Sequence, residues 1–259
     1  MDHAVPEFET IALKRRDRVL TITLNRPDVM NAFDKMMHDE LPEALVFARD
    51  DRASDVLVLT GSGKAFSAGG DLAHIADNAA HPEKFDHEIA MARRIVMTLL
   101  ETEKPVICQL NGHAVGLGAT IALLCDIVYA AERAKIGDPH VAIGLAAGDG
   151  GALVWPARVG LTRAKEFLLT GELLTAGEAA SIGLINRTFA AEDLDAAVEA
   201  LSAKLLSMPQ IALRKTKALL NLETLRAADG ILDVGLEWEK ETVRSAEHRS
   251  AIEALLAKA

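Results

Sequence analysis

The sequence is poor in cysteine, in aromatic residues and in basic residues. Two of its 259 residues are cysteines, and aromatic side chains make up 4%. It holds 28 Lys and Arg against 38 Asp and Glu, which gives a formal net charge of -10 at pH 7. A nucleic-acid-binding chain is expected to carry a basic patch or stripe, so this balance predicts no nucleic-acid partner. A polyanionic small molecule remains compatible, because a few local Lys and Arg can hold one.

Both cysteines, Cys108 and Cys125, lie in apolar stretches, "PVICQL" and "ALLCDI". Such surroundings are typical of buried, reduced thiols. No spacing of cysteines and histidines resembles a zinc site, so the sequence predicts no metal.

Targeting and membrane signals are also lacking. The N-terminal stretch "MDHAVPEFET" has neither the basic region nor the apolar region of a signal peptide. The apolar stretch around "ATIALLCDIVYAA" is interrupted by Asp126 and is too short to cross a bilayer. We therefore expect a cytoplasmic protein without a membrane partner.

The middle of the sequence contains a repeated unit of buried strand, glycine loop and helix. The runs "DVLVLT" (55–60) and "PVICQLNG" (105–112) are apolar throughout, as strands buried on both faces are. The loops "GSGKAFSAGGDL" (61–72) and "GHAVGLG" (112–118) follow them, and "DIVYAA" predicts a third strand. Helices that alternate with buried strands indicate an α/β fold.

The two ends of the chain have different patterns. Near the N-terminus, "ETIALKRR" and "RVLTITLNRP" predict a hairpin, followed by a helix that Asp34 caps and Pro42 kinks or splits. From about residue 191 only helical periodicity is present. We predict a core over residues 1–200 and a C-terminal helical region over residues 201–259, which packs on the core or on a neighbouring subunit.

The glycine loops do not match phosphate-binding motifs. A Walker loop needs Ser or Thr after Gly63-Lys64, where this chain has Ala65. The segment "GLGATI" (116–121) lacks the third glycine of a dinucleotide fingerprint. Two interpretations remain: tight turns, which the spacing alone favours, or backbone N–H donors at two helix N-termini that converge on an oxyanion.

Four segments together resemble the enoyl-CoA hydratase/isomerase (crotonase) superfamily: "LNRPDVMNAFD", "KAFSAGGDL", "NGHAVGLGATIALLCDIVYAAERAKIGDPHVAIGL" and "LLTGELLTAGEAASIGLIN". The resemblance covers roughly residues 8 to 215. It implies a repeated ββα spiral core with a C-terminal helical trimerisation region. The implied ligand is an acyl-CoA thioester, without a cofactor beyond the coenzyme A of the substrate. The implied assembly is a homotrimer or a hexamer of two trimers.

The resemblance also assigns roles to individual residues. The backbone N–H groups of Gly70 and Leu117 would form the oxyanion hole for the thioester carbonyl. The backbone around Ala68 and Leu72 would contact the adenine. Arg26 lies where the family often contacts coenzyme A, although an ordinary surface arginine explains it equally well.

The sequence departs from the family at both glutamates that the well-known hydratases use. Thr120 and His140 occupy these positions. A hydroxyl is not ionised near neutral pH, so we interpret Thr120 as a core residue. His140 titrates near neutral pH and is a candidate for proton transfer, although it could be structural. The other histidines in polar stretches are predicted to be solvated: His38, His74, His81 and His87.

Asp149 in "AAGDGGAL" is the second candidate for proton transfer. Dienoyl-CoA isomerases and an aryl-CoA dehalogenase of the superfamily place a working aspartate in or near this segment, and Asp149 lies one residue beyond their position. Aspartate is also a preferred helix cap, and Gly-Asp-Gly is a common turn. Catalysis and capping are both open at this residue.

The combined hypothesis is an acyl-CoA enzyme that stabilises a thioester enolate at Gly70 and Leu117. His140, Asp149 or both would transfer the proton during isomerisation or hydration of an enoyl-CoA. Decarboxylation or thioester hydrolysis would need fewer ionisable groups and is the alternative chemistry. A catalytically silent acyl-CoA-binding protein is the alternative class, motivated by the loss of both glutamates.

Overall fold

The structure is a computed structural model, and it describes residues 5–257. This part of the chain contains two β-sheets and nine α-helices. The strands are β1 (Ile11–Arg16), β2 (Val19–Leu24), β3 (Val56–Gly61), β4 (Ala65–Ser67), β5 (Val106–Leu110), β6 (His113–Val115), β7 (Ile127–Ala131), β8 (Lys135–Gly137), β9 (Leu174–Thr175) and β10 (Arg187–Phe189). The helices are α1 (Lys35–Asp50), α2 (Leu72–Ala80), α3 (Phe85–Glu101), α4 (Leu117–Leu124), α5 (Gly151–Thr170), α6 (Ala176–Ser181), α7 (Leu194–Leu206), α8 (Gln210–Val243) and α9 (Ala246–Leu256).

From β3 to β8, successive strands alternate between the two sheets. The larger sheet has the order β1-β2-β3-β5-β7-β10, and the smaller one has the order β4-β6-β8-β9. The chain therefore passes from the larger to the smaller sheet at β3–β4, β5–β6 and β7–β8, and helices follow each pair. This repetition confirms the predicted α/β class and the ββα spiral. Within the larger sheet only β1 and β2 are antiparallel, and they form the predicted hairpin.

Helix α1 begins as predicted but continues through its proline. The Asp34 carboxylate accepts a hydrogen bond from the backbone N–H of Met37, which confirms it as the cap. Of the two predicted effects of Pro42, a kink or a split, the structure excludes the split, because α1 is continuous from residue 35 to 50. A proline removes one hydrogen bond from a helix. The buried apolar face, which includes Leu41 and Leu45, supports α1 across this gap.

The C-terminal helices pack on the core of the same chain. Helix α8 contacts α3 and α5, and its residues Leu232, Leu236 and Val243 belong to the main hydrophobic core. Helix α8 continues through Gly230 for 34 residues. The predicted boundary between residues 200 and 201 falls inside α7.

The cysteine prediction is confirmed, because Cys108 and Cys125 are both buried and free. Across residues 5–257, no helix has the length and apolar character needed to cross a membrane.

Candidate active site

Three parallel strands of the smaller sheet direct three loops to one place. Strand β6 lies between β4 and β8 and is parallel to both. The carboxyl ends of parallel strands lie at the same edge of a sheet. The loops that leave this edge carry Gly70 after β4, Leu117 after β6 and His140 after β8. Residues far apart in sequence are thus brought together by the spiral.

The first two loops have the same local design. Each turns at a glycine with positive φ, which is +88° at Gly69 and +55° at Gly116, and the candidate donor comes next. The donors Gly70 and Leu117 lie close before α2 and at the start of α4. The first N–H groups of a helix have no intrahelical acceptor. Within the described part of the chain, neither N–H donates to another protein group, so both are free for a ligand.

A cavity of about 290 Å³ lies where these loops meet. Most of its lining is apolar, with contributions from Phe33, Phe85, Ile89, Ile143 and Leu145. Six of the seven predicted site residues line it: Ala68, Gly70, Leu72, Leu117, His140 and Asp149. An apolar cavity with a few converging polar groups is the usual form of a small-molecule site.

Arg26 is the seventh predicted residue, and its guanidinium is held by protein groups. It forms ion pairs with Asp34 (Nη2 to Oδ2, 3.0 Å) and Asp71 (Nη1 to Oδ2, 3.3 Å). It also donates to the carbonyl of Ala32 (Nη1 to O, 2.6 Å). Asp34 and Asp71 cap α1 and α2, so Arg26 links the starts of the two helices.

His140 lies between two buried carboxylates. Its Nδ1 contacts Oδ1 of Asp138, and its Nε2 lies 3.5 Å from Oδ2 of Asp149. Asp138 belongs to the same "GDPH" turn, while Asp149 comes from the loop that precedes α5. A carboxylate that pairs with one ring nitrogen fixes the orientation of an imidazole. Asp138 thus directs Nε2 of His140 toward Asp149.

Burial and charge set the protonation of this group. Burial raises the pKa of Asp149 to about 6, although the neighbouring His140 opposes the increase. Burial alone would lower the pKa of His140, but Asp138 and Asp149 outweigh it and raise that pKa well above its ordinary value. Near neutral pH, a cationic His140 therefore stands beside an ionised Asp149. A carboxylate with a pKa of about 6 can accept a proton near neutral pH.

The surroundings of Asp149 bear on the capping interpretation. Helix α5 has Gly150 as its N-cap residue, so Asp149 lies one position before the cap. The backbone N–H of Gly151, the first residue of α5, interacts with the Asp149 carboxylate and opposes the rise of its pKa. Asp149 also lines the cavity, and Oδ1 accepts a hydrogen bond from the Thr120 hydroxyl at 3.4 Å. Thr120 is buried at the start of α4, as predicted, but the sequence did not predict its contact with Asp149.

Glu239 on α8 is a third acid in the cavity, and sequence reasoning missed it. Only 3% of the residue is exposed, and Oε2 has no hydrogen-bond partner in the part of the chain that the structure describes. Burial raises its pKa well above the ordinary value, and the charge of Asp149 adds to this. Gly148 of the 148–150 loop lies against Gly235 of α8, and this close approach brings Glu239 to the site.

The predicted solvation is wrong for two histidines. His38 and His74 line the cavity with Glu88, and one ligand atom of each lies within 4.8 Å of the others. His38 is buried because it lies on the face of α1 that packs on the core. This spacing suits metal ligands, as does that of Asp138, His140 and Asp149. In both groups a histidine is already paired with a carboxylate.

Comparison with known proteins identifies the family of this site. A sequence profile described as enoyl-CoA hydratase/isomerase matches residues 14–258. The crotonyl-CoA hydratase of Syntrophomonas wolfei is 36% identical over 216 residues, which cover 83% of this chain and 82% of that protein. The 1,2-epoxyphenylacetyl-CoA isomerase of Escherichia coli K12 is 35% identical over 245 residues, which cover 93% and 92%.

A solved structure agrees with the profile. An enoyl-CoA hydratase/isomerase from Mycobacterium paratuberculosis superposes with a TM-score of 0.92 at 37% identity, over 96% of this chain and 100% of that chain. The sequence motifs, the spiral and the cavity thus lead to one family, in which both hydratases and isomerases occur. The chain belongs to the enoyl-CoA hydratase/isomerase family and is an enzyme of this type that acts on acyl-CoA.

Proposed function

We propose that the protein isomerises the double bond of an enoyl-CoA, with Asp149 as the group that moves the proton. The observation that carries this proposal is a buried carboxylate of raised pKa in the same cavity as two free backbone donors. Isomerisation needs one base that removes a proton and returns it elsewhere. It does not need the pair of glutamates that this chain lacks.

The proposed reaction is a shift of a proton between two carbons. The carbonyl oxygen of a 3-enoyl thioester accepts hydrogen bonds from the N–H groups of Gly70 and Leu117. Asp149 removes a proton from the α carbon, and the electron pair of that bond forms a dienolate. The proton then returns at the γ carbon, which yields the 2-enoyl thioester and restores the carboxylate. One oxyanion-hole donor, a side-chain amide in the measured case, stabilises such an oxygen by about 2.7–4 kcal/mol.

His140 and Asp138 support this base. A cationic His140 at 3.5 Å keeps Asp149 ionised in a cavity whose burial favours the neutral acid. Asp138 orients the imidazole through Nδ1.

The first test is to incubate the purified protein with 3-enoyl-CoA and 2-enoyl-CoA thioesters of several chain lengths. Isomerisation supports the proposal; hydrolysis of the thioester as the only activity would replace it.

Hydration is the second candidate function, and Glu239 favours it. Adding water across a double bond calls for an acid and a base around one water molecule. A neutral Glu239 can donate a proton, while Asp149 accepts one from the water. The two acids share the cavity, and the pKa of each is raised by burial.

The variant Glu239→Gln separates the two reactions. If Glu239 supplies the acid, hydration of 2-enoyl-CoA falls by about 10²-fold or more, while isomerisation stays within a few-fold. The matched control is Glu237→Gln on the same helix, because Glu237 is exposed and pairs with Lys240. Equal losses of both reactions in Glu239→Gln would contradict a specific role in hydration.

The contacts with coenzyme A and the assembly are proposed on the family resemblance. The backbone around Ala68 and Leu72 would contact the adenine, and both residues line the cavity. The proton shift calls for no cofactor beyond coenzyme A.

Large apolar side chains on α8 are exposed, including Ile211 (81%) and Leu220 (74%), and such a surface supports the proposal that it is buried between subunits. Light scattering in solution is expected to give the mass of three or six chains; a monomer would contradict this proposal.

A further inference from the structure

A second polar cluster lies in the apolar cavity, on helices α1, α2 and α3. His38 comes from α1, His74 and Asn78 from α2, and Glu88 from α3. All four line the cavity, and Asn78 and Glu88 are 3% and 6% exposed. Burying polar groups is costly unless they find partners. The proposed proton shift uses none of them, so their presence calls for another explanation.

Two members of the cluster largely satisfy each other. Nε2 of His74 lies 2.7 Å from Oε1 of Glu88, which also accepts a hydrogen bond from Nδ2 of Asn78 at 2.8 Å. The hydrogen bond to Glu88 raises the pKa of His74, against the effect of burial. The pair is therefore an ion pair of no net charge, and it gives little attraction for a charged ligand.

The other two members offer acceptors. Nδ1 of His38 lies 2.8 Å from the carbonyl oxygen of Asp34, which can only accept, so Nδ1 carries the hydrogen. Burial lowers the pKa of His38 and keeps the ring neutral, which leaves Nε2 as an acceptor. Oδ1 of Asn78 is a buried acceptor without a hydrogen-bond partner in residues 5–257.

We propose that this cluster binds a hydroxyl group on the acyl part of the substrate, at a distance from the thioester. The inference rests on the proposed function in one respect, namely that the cavity holds an acyl-CoA. A hydroxyl donates one hydrogen bond, and Nε2 of His38 is the acceptor at the cavity surface, because Oδ1 of Asn78 is enclosed by the protein. An unsubstituted alkyl chain would leave the His38 acceptor unpaired, which is the situation that lets a polar site reject an apolar analogue.

The test compares matched pairs of acyl-CoA thioesters, with and without a terminal hydroxyl, in chains of four to eight carbons. Binding of the saturated pairs is measured by calorimetry, and turnover of the unsaturated pairs is measured separately. In the wild type, one hydroxylated member is expected to bind about tenfold more tightly than its partner. The ratio is expected to fall to about one in His38→Phe. Comparing two ligands on one variant cancels any general loss of folded protein.

His81→Phe is the matched control, because His81 is exposed and pairs with Asp77 on the outside of α2. It is expected to keep the wild-type ratio. A ratio of one in the wild type at every chain length would overturn the inference. The inference would also be overturned if elemental analysis found one zinc ion per wild-type chain and none in His38→Phe. Because binding is measured without turnover, a binding preference with no isomerisation would refute the proposed reaction and leave the hydroxyl site standing.

Discussion

Asp149→Asn is expected to lower the kcat for isomerisation of 3-enoyl-CoA by about 10²–10⁴-fold, the usual contribution of general acid–base catalysis. The amide has nearly the shape of the carboxylate and can still accept from Thr120, but it cannot take up a proton. Thioester binding should be kept, since the oxyanion donors and the apolar lining are unchanged. Steady-state kinetics together with calorimetry of a saturated acyl-CoA measure the two quantities.

The pH profile of the wild type gives an independent readout of the same residue. Asp149 acts as a base only when it is ionised, and burial raises its pKa to about 6. The rate is therefore expected to rise with pH through about 6, and to be about tenfold lower at pH 5 than on the plateau. Asp77→Asn, at an exposed position on α2, should keep both the rate and the profile. Asp149→Asn with a rate within threefold of the wild type would refute the role of Asp149.

Leu117→Pro is expected to lower kcat by about 10²–10³-fold relative to Leu117→Ala, the loss measured for one oxyanion donor. Leu117 is the first residue of α4, a position where helices accept proline, and proline removes the N–H group. The comparison with alanine matters because Leu117 is buried and its side chain lines the cavity. Both variants lose that side chain, but only one loses the donor.

Circular dichroism and thermal unfolding of the two Leu117 variants check that α4 remains folded. Equal kcat values for Leu117→Pro and Leu117→Ala, with both proteins folded, would show that this N–H does not stabilise the transition state.

The fold and the meeting of the loops could be predicted because they depend on local and repeated patterns. Two buried strands with glycine loops predicted the α/β class, while the family resemblance implied the spiral and assigned Gly70 and Leu117. His140 and Asp149 were found because their segment matches a catalytic one. Pro42 does not split α1, because a local helix breaker can be outweighed by tertiary packing of a helix face.

Glu239 was missed because nothing in its neighbourhood indicates a site. A signal was nevertheless present. From Ala228 onward, the buried residues of α8 recur every three or four positions, and Glu239 occupies one place in this otherwise apolar series: Ala228, Leu232, Leu236, Glu239 and Val243. His38 on α1 and Glu88 on α3 interrupt buried faces in the same way. A polar residue on the apolar face of a helix is a better guide to this cavity than the polarity of its sequence neighbours.

The most direct test of the central claim is to incubate the wild-type protein with 3-enoyl-CoA in D₂O and follow the α hydrogens by NMR. The account predicts loss of an α proton and conversion to 2-enoyl-CoA, both abolished in Asp149→Asn. A thioester that binds but is recovered unchanged, with both α positions still carrying protium, would contradict it.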